Sequence, residues 1–165
     1  MENYMKLEIA ALSENESFAR SAVAAFALTL NPSFTELSDI KTAVSEAVTN
    51  SIVHAYNQGK TEGKILIECR VERAQSPSDF FKDGQGVLHI RISDYGCGIE
   101  NVEQALLPFF TTLAEEERSG MGFTIMQTFM SDFSLQSEKG KGTVVTMTKK
   151  IGFAENEEVK ERANA

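Results

Sequence analysis

The sequence predicts an α+β sandwich, a mixed and mostly antiparallel sheet with helices covering one face. Three observations carry that prediction. The elements read β-α-α-β-β-α-β-β, so strands and helices do not alternate as a fully parallel sheet needs. Residues 64–72 and 86–94 place apolar side chains at every second position, the period of a strand with one buried face. Two helical stretches rich in packing residues stand next to each other before the first of those strands.

The first strand is expected over Met5 to Leu12. Ser13 and Glu16 have capping-box spacing, which opens a helix running to about Leu30, with Phe18, Val23 and Phe26 available for packing. Asn31-Pro32 stops it. A second helix starts near Thr35 to Ser38 and ends around Asn57-Gln58-Gly59, where glycine suits a left-handed C-terminal position. Ile65, Ile67, Cys69 and Val71 alternate in one strand, and Leu88, Ile90 and Ile92 in the next, Gly86 to Asp94. The polar connection AQSPSDFFKDGQ between them is long for a hairpin. A glycine-punctuated stretch leads to a helix over Met121 to Met130. A hairpin of Phe133 to Glu138 and Thr143 to Lys149, turned at Lys139 to Gly142, closes the domain. One domain over 1–153 and a charged tail over 154–165 are expected.

The chain has 165 residues, enough for a single domain with a real core. Its 16 basic against 24 acidic residues give a net charge of −8, which argues against non-specific binding of nucleic acid or an anionic membrane. Two cysteines and two histidines lie too far apart in sequence for a zinc-type cluster. The N-terminal stretch lacks a basic region followed by an apolar one, and the longest largely apolar run, Ala22 to Leu30, is too short to span a membrane. A soluble, cytoplasmic protein is expected.

Four places could carry chemistry. In SEAVTNSIVHAY, Glu46, Asn50 and His54 recur every fourth residue, which lays an acid, an amide and an imidazole along one stripe of a helix. Asn50 offers a neutral oxygen suited to Mg²⁺, and Glu46 could serve as a general base. A solvated helix face explains the first two equally simply, and a structural role is the better reading of His54. Asp94 continues the inward parity of Leu88, Ile90 and Ile92 at the head of DYGCGI. An inward carboxylate needs a donor, which a purine amino group could be, and Gly96 and Gly98 would let a flat ring approach the backbone. Cys97 between them reads as a spacer, and an Asp-containing turn accounts for the whole motif without a ligand. In RSGMGF, small residues at a helix N-terminus expose N–H groups to an anion, although a plain helix start is commoner. Glu138 to Thr143 reads foremost as a hairpin turn.

Together these signals form a pattern. A helix with ExxxN, a strand ending in DxGxGI, a lid-like loop, GxG opening a helix and GT before a strand resemble the ATP-binding domain shared by Hsp90-type chaperones, gyrase B subunits, MutL proteins and histidine kinases. The order and separations match over about residues 35–150. SEAVTNSIVHAY, LLPFFTT and ERSGMGFTIMQTFM further resemble the anti-sigma F factors of spore-forming bacteria, small serine kinases within that superfamily. This resemblance runs from Leu7 to about Ile151.

The resemblance implies a domain that binds ATP with Mg²⁺, phosphorylates a serine of a small anti-anti-sigma protein, holds sigma factor F of RNA polymerase inactive, and forms a homodimer. By the family motif, Asn50 ligates Mg²⁺ and Glu46 activates the substrate serine. Asp94 binds the adenine amino group, with Gly96, Gly98 and Ile99 beside it. Arg118, Ser119, Gly120, Met121 and Gly122 hold the phosphates, and the Thr143 hydroxyl assists adenine binding. Arg20 contacts both protein partners, with Glu16 a second candidate for that surface.

The sequence departs from the pattern at three points. Leu113 stands in the lid where a basic residue is expected, the connection over 74–86 is longer than the usual turn, and the acidic tail is additional. Two alternatives stay open. One is a kinase of the same type serving a stress-response sigma factor. The other is a nucleotide-gated sigma-binding module with negligible catalysis, which Leu113 favours and Glu46 opposes. An Hsp90- or MutL-like ATPase and a histidine kinase fit less well, for want of a further domain or a phosphoacceptor helix.

Overall fold

The computed structural model describes residues 3–57, 62–73, 85–108 and 120–153. The connection up to Gly84, the lid with Leu113, Arg118 and Ser119, the turn at Gln58 and Gly59, and the acidic tail lie outside the described residues.

The chain runs β1 (Asn3–Ala10), α1 (Glu14–Ala27), a 3-10 turn (Leu28–Leu30), α2 (Phe34–Asn50), a π-helical turn (Ser51–Ala55), β2 (Lys64–Arg73) and β3 (Gly86–Asp94). A single-turn helix α3 (Val102–Ala105), α4 (Gly122–Phe129), β4 (Asp132–Glu138) and β5 (Gly142–Ile151) complete it. The five strands form one sheet in the order β1-β2-β3-β5-β4, and every neighbouring pair is antiparallel. The α+β class expected from the sequence is what the chain adopts. Two helices in succession between β1 and β2 bring the chain back running the opposite way. Strands that run parallel, β1 with β3, β2 with β5 and β3 with β4, are each separated by an antiparallel neighbour.

The capping box expected at Ser13 and Glu16 does not form; one forms instead at Ser33 and Glu36. Ser13 has helical dihedrals (φ −57°, ψ −33°) and its side chain caps nothing. A capping residue needs extended backbone to aim its oxygen at the first-turn N–H groups. Ser33 has that geometry (φ −62°, ψ 164°): Glu36 N–H donates to its Oγ, and the Glu36 carboxylate accepts from Ser33 N–H at 2.7 Å. Glu16 lies instead 3.6 Å from Arg20 along α1. Beyond the π-helical turn that follows α2, Asn57 takes the left-handed conformation (φ 50°), and Gly59 lies outside the described residues.

The core lies between the helices and one face of the sheet. Ile65, Ile67, Leu88, Ile90, Ile92 and Met147 project from that face and are buried against Val23 and Ala27 of α1, Ile40, Val44 and Val48 of α2, and Met126 of α4. Register fixes this set, because a one-residue slip would turn each side chain to the other face. The opposite face is polar: Glu68 lies 3.6 Å from Lys6 and 3.5 Å from Arg91 across neighbouring strands. No helix among the described residues is long and apolar enough to cross a membrane.

Candidate nucleotide site

A cavity of about 860 Å³ opens between α2, the start of α4 and the ends of β3 and β5. Its size is that of a small-molecule site. Glu46, Asn50, Asp94, Gly98, Ile99, Gly120, Met121, Gly122 and Thr143 all contribute to its wall, and so does His54. Gly96 stands behind the wall rather than in it. Arg20 and Glu16 sit on α1, away from the cavity.

The stripe on α2 is real. Val48 and Ile52 are buried in the core while Glu46, Asn50 and His54, half-buried, turn to the cavity. Glu46 and Asn50 converge on the first residue of α4. A Cβ at Gly122 would stand 3.0 Å from Glu46 Oε2 and 3.2 Å from Asn50 Nδ2. Those contacts are tighter than most Cβ atoms make, so a larger residue at 122 would press the ends of the Glu46 and Asn50 side chains aside by a few tenths of an ångström. The first N–H groups of α4 have no partner within the helix, and its dipole is positive at this end. A carboxylate, an amide and a helix N-terminus meeting at one point can receive phosphates, a cation between them and a proton. Among the described residues no three His, Cys, Asp or Glu gather into a metal cluster. The Asn50 amide nevertheless suits Mg²⁺, which keeps most of its waters and takes few protein oxygens beside phosphates.

Asp94 closes the other end of the cavity. It is 5% exposed, at the last residue of β3. Ser51 Oγ donates to its Oδ2, and the N–H groups of Gly96 and Thr143 donate to its Oδ1, each at 3.1 Å. Burial raises its pKa above the ordinary carboxylate value, and the three donors partly offset the rise. Oδ2 has lone-pair capacity beyond Ser51, so a ligand N–H can be accepted there. Thr143 Oγ1 lies 2.9 Å from Ser137 Oγ, which donates to the Gly142 carbonyl and accepts from Ile99 N–H. A hydroxyl pair thus ties the DYGCGI turn to the closing hairpin.

The glycines of that turn have a different immediate cause from the one the sequence suggests. A Cβ at Gly96 would meet the Ala55 carbonyl oxygen at 2.4 Å, and one at Gly98, whose φ is +67°, would meet the Glu138 carbonyl oxygen at 2.1 Å. Both are needed for the turn to wedge between the π-helical end of α2 and the β4–β5 hairpin. Gly98 lines the cavity as well; Gly96 does not. The turn is further tied by Cys97 N–H donating to the Ala55 carbonyl and by Tyr56, whose hydroxyl accepts from Tyr95 N–H and donates to the Lys64 carbonyl.

Ser51 and Ser137 are site residues that the sequence reading did not single out. Ser51 follows Asn50 in an otherwise apolar run, and its buried hydroxyl lies within reach of the Ala47 carbonyl one turn back and of Asp94 on β3. The π-helical turn that begins at Ser51 is a further signal of function, visible only in the structure. The two cysteines differ sharply. Cys69 is buried and its thiol is pushed up to about 12 by burial, while Cys97 is exposed in the cavity wall. Iodoacetamide at about pH 8 is therefore expected to label Cys97 and spare Cys69, because only a thiolate reacts. Mg-ATP should slow labelling of Cys97, as peptide mapping would show; equal labelling with and without nucleotide would place the ligand elsewhere.

The fold and this cavity suit a nucleotide-binding domain, and comparison with known proteins gives the family. The chain belongs to the family of histidine kinase-like ATPase domains, whose family model matches residues 9–149. Within that family it belongs with the anti-sigma F factors. It is 52% identical to the anti-sigma F factor of Caldanaerobacter subterraneus subsp. tengcongensis, over 91% of this chain and 95% of that protein. It is 50% identical to that of Geobacillus sp. strain WCH70, over 92% and 94%. Among solved structures, the RsbU and RsbW domains of a Mycobacterium tuberculosis protein share the fold, with a TM-score of 0.55 at 15% identity over 90% of this chain and 32% of that one.

Proposed function

We propose that the chain is a cytoplasmic anti-sigma factor and Mg-ATP-dependent serine kinase. It holds sigma factor F inactive and phosphorylates the small anti-anti-sigma protein that antagonises it. The observation that carries this reading is the meeting of Glu46 and Asn50 with Gly122 at the start of α4. A nucleotide-binding module needs the amide and the helix start, but only a transfer reaction needs a carboxylate base beside them. The anti-sigma F names of relatives about half identical over most of the chain support the choice of partners.

On this reading adenine lies at Asp94, which accepts from the exocyclic amino group, and the phosphates lie at Gly120, Met121 and Gly122, with Arg118 and Ser119 preceding them. Asn50 supplies an oxygen to Mg²⁺, whose charge, when bound, offsets charge developing on the phosphates. Glu46 takes the proton of the incoming serine hydroxyl, which raises the nucleophilicity of the oxygen. The bond from that oxygen to the terminal phosphorus forms as the bond to the departing ADP breaks. A homodimer belongs to the same reading.

The test is transfer of labelled phosphate from Mg-ATP to a purified anti-anti-sigma protein of the same organism. Label on a serine supports the kinase. ATP binding without transfer leaves a nucleotide-gated sigma-binding module. Arg20, partly exposed on α1 with its Nε 3.6 Å from Glu16, is the proposed shared contact for both proteins. Arg20→Glu should weaken sigma factor and anti-anti-sigma binding by about tenfold or more while ATP affinity stays unchanged. Unaltered affinity for both proteins in calorimetry would remove Arg20 from the interface.

A further inference from the structure

Lys149 occupies a place where a lysine is not expected. Thr143, Val145, Met147, Lys149 and Ile151 alternate on the inner face of β5, and Val145, Met147 and Ile151 are core residues. Lys149 pairs in register with Leu88, which is wholly buried. Its side chain is only 13% exposed. Lysines are rarely buried without a partner, since the ammonium loses its hydration.

Two acceptors meet it. Lys149 Nζ donates to Asp39 Oδ2 at 2.9 Å and to the Phe129 carbonyl at 2.7 Å. Asp39 belongs to α2. Phe129 is the last residue of α4, where the carbonyls have no partner within the helix and a cation is favoured. One ammonium therefore joins the sheet to both helices.

The position of that junction matters for the site. Asp39, Glu46 and Asn50 are spaced by seven and four residues, so they fall on one stripe of α2. Gly122 lies against Glu46 and Asn50, and Phe129 against Lys149 and Asp39. Helix α4 thus runs antiparallel to α2 along this stripe, and two turns, about 10 Å, separate its two fixed ends. At the cavity end a Cβ at Gly122 would already press on Glu46 and Asn50, so a small sliding of α4 changes how the helix start meets the stripe.

We propose that Lys149, through Asp39 and the Phe129 carbonyl, is a positioning residue that sets α4 in register on α2 and so holds Gly122 at Glu46 and Asn50. The proposal rests on the nucleotide reading above, with phosphates at the α4 end and adenine at Asp94. Asp94 is fixed by Ser51, Gly96 and Thr143, none of which belongs to α4. Loss of the junction should therefore damage phosphate binding and spare adenine binding.

The experiment compares the full-length parent with Lys149→Met, Lys149→Arg and Asp39→Asn. Mg-ATP and AMP affinities come from calorimetry, and hydrogen exchange at the α4 amides is followed without nucleotide. Lys149→Met and Asp39→Asn should weaken Mg-ATP by at least about tenfold and change AMP by less than about twofold, with Lys149→Arg near the parent. Exchange in the two weakened variants should quicken at Ile125 and Met130, whose N–H groups bond to Met121 and Met126, and not in the β2–β3 ladder. Equal losses for ATP and AMP, or none for either, would overturn the proposal. If the parent binds neither nucleotide, the nucleotide reading fails. The clamp on α4 is then decided by exchange alone, with faster exchange confined to α4 supporting it and unchanged exchange refuting it.

Discussion

Glu46→Gln is expected to bind Mg-ATP at least as tightly as the parent and to transfer phosphate at least about a hundredfold more slowly. Glutamine keeps the shape of the side chain against Gly122, so the start of α4 has no reason to move. It also removes a negative charge from the neighbourhood of the phosphates, which favours binding. What it cannot do is accept a proton from serine. Single-turnover transfer at saturating nucleotide isolates that step from binding and product release. Rapid transfer by the variant would mean that the base lies elsewhere or that none is needed.

Asp94→Asn should weaken ATP binding by about a hundredfold or more with the fold intact. The amide oxygen can keep the bonds from Gly96 and Thr143 N–H at the Oδ1 position. Its nitrogen then replaces Oδ2, and Ser51 can turn its proton to the Ala47 carbonyl, 3.3 Å away, and accept instead. A ligand amino group, however, meets a donor where it met an acceptor. Melting within a few degrees of the parent, with ATP binding lost, is the expected result. Retained ATP affinity would take adenine away from Asp94.

The same pair of proteins carries a pH test. Because burial raises the Asp94 pKa, the folded chain holds this proton to higher pH than the unfolded chain does. The contribution of Asp94 to stability is therefore full below the unfolded value of about 3.9 and is lost as pH rises through the folded value. Relative to Asp94→Asn, the parent should lose stability across that window and keep a constant difference above it. Nucleotide affinity of the parent should move the opposite way, falling as acid protonates the acceptor.

Local features of the site were legible in the sequence. Glu46 and Asn50 are one helical turn apart, and Val48 and Ile52 mark the buried side of the same helix, so the stripe needed no tertiary information. β3 was legible to its last residue because the alternation of Leu88, Ile90 and Ile92 runs on to Asp94. What escaped depends on distant chain. Gly96 is dictated by the Ala55 carbonyl and Gly98 by that of Glu138, and neither neighbour is implied by DYGCGI itself. Ser13 and Ser33 head equally good capping patterns, and only the backbone entering each helix decides between them. β1 starts at Asn3 because Asn3 and Tyr4 pair with Val71 and Arg70 of a strand that forms much later in the chain.

The strand order has a further consequence. After Asp94 the chain leaves the middle of the ladder, travels through α3 and α4, and returns at the far edge as β4. Only then does β5 fill the place beside β3. Asp94 and Thr143 belong to the ladder, whereas Gly120 and Gly122 belong to this excursion. In the binding mode proposed above, a nucleotide reaching from one set to the other acts as a removable cross-link between two parts of the polypeptide that strand pairing does not join. By mass action, a hundredfold excess over the dissociation constant adds about 2.7 kcal/mol to the free energy of unfolding. Protection gained from that cross-link belongs first to the excursion, so nucleotide concentration becomes a dial on the lifetime of one segment more than of the whole fold.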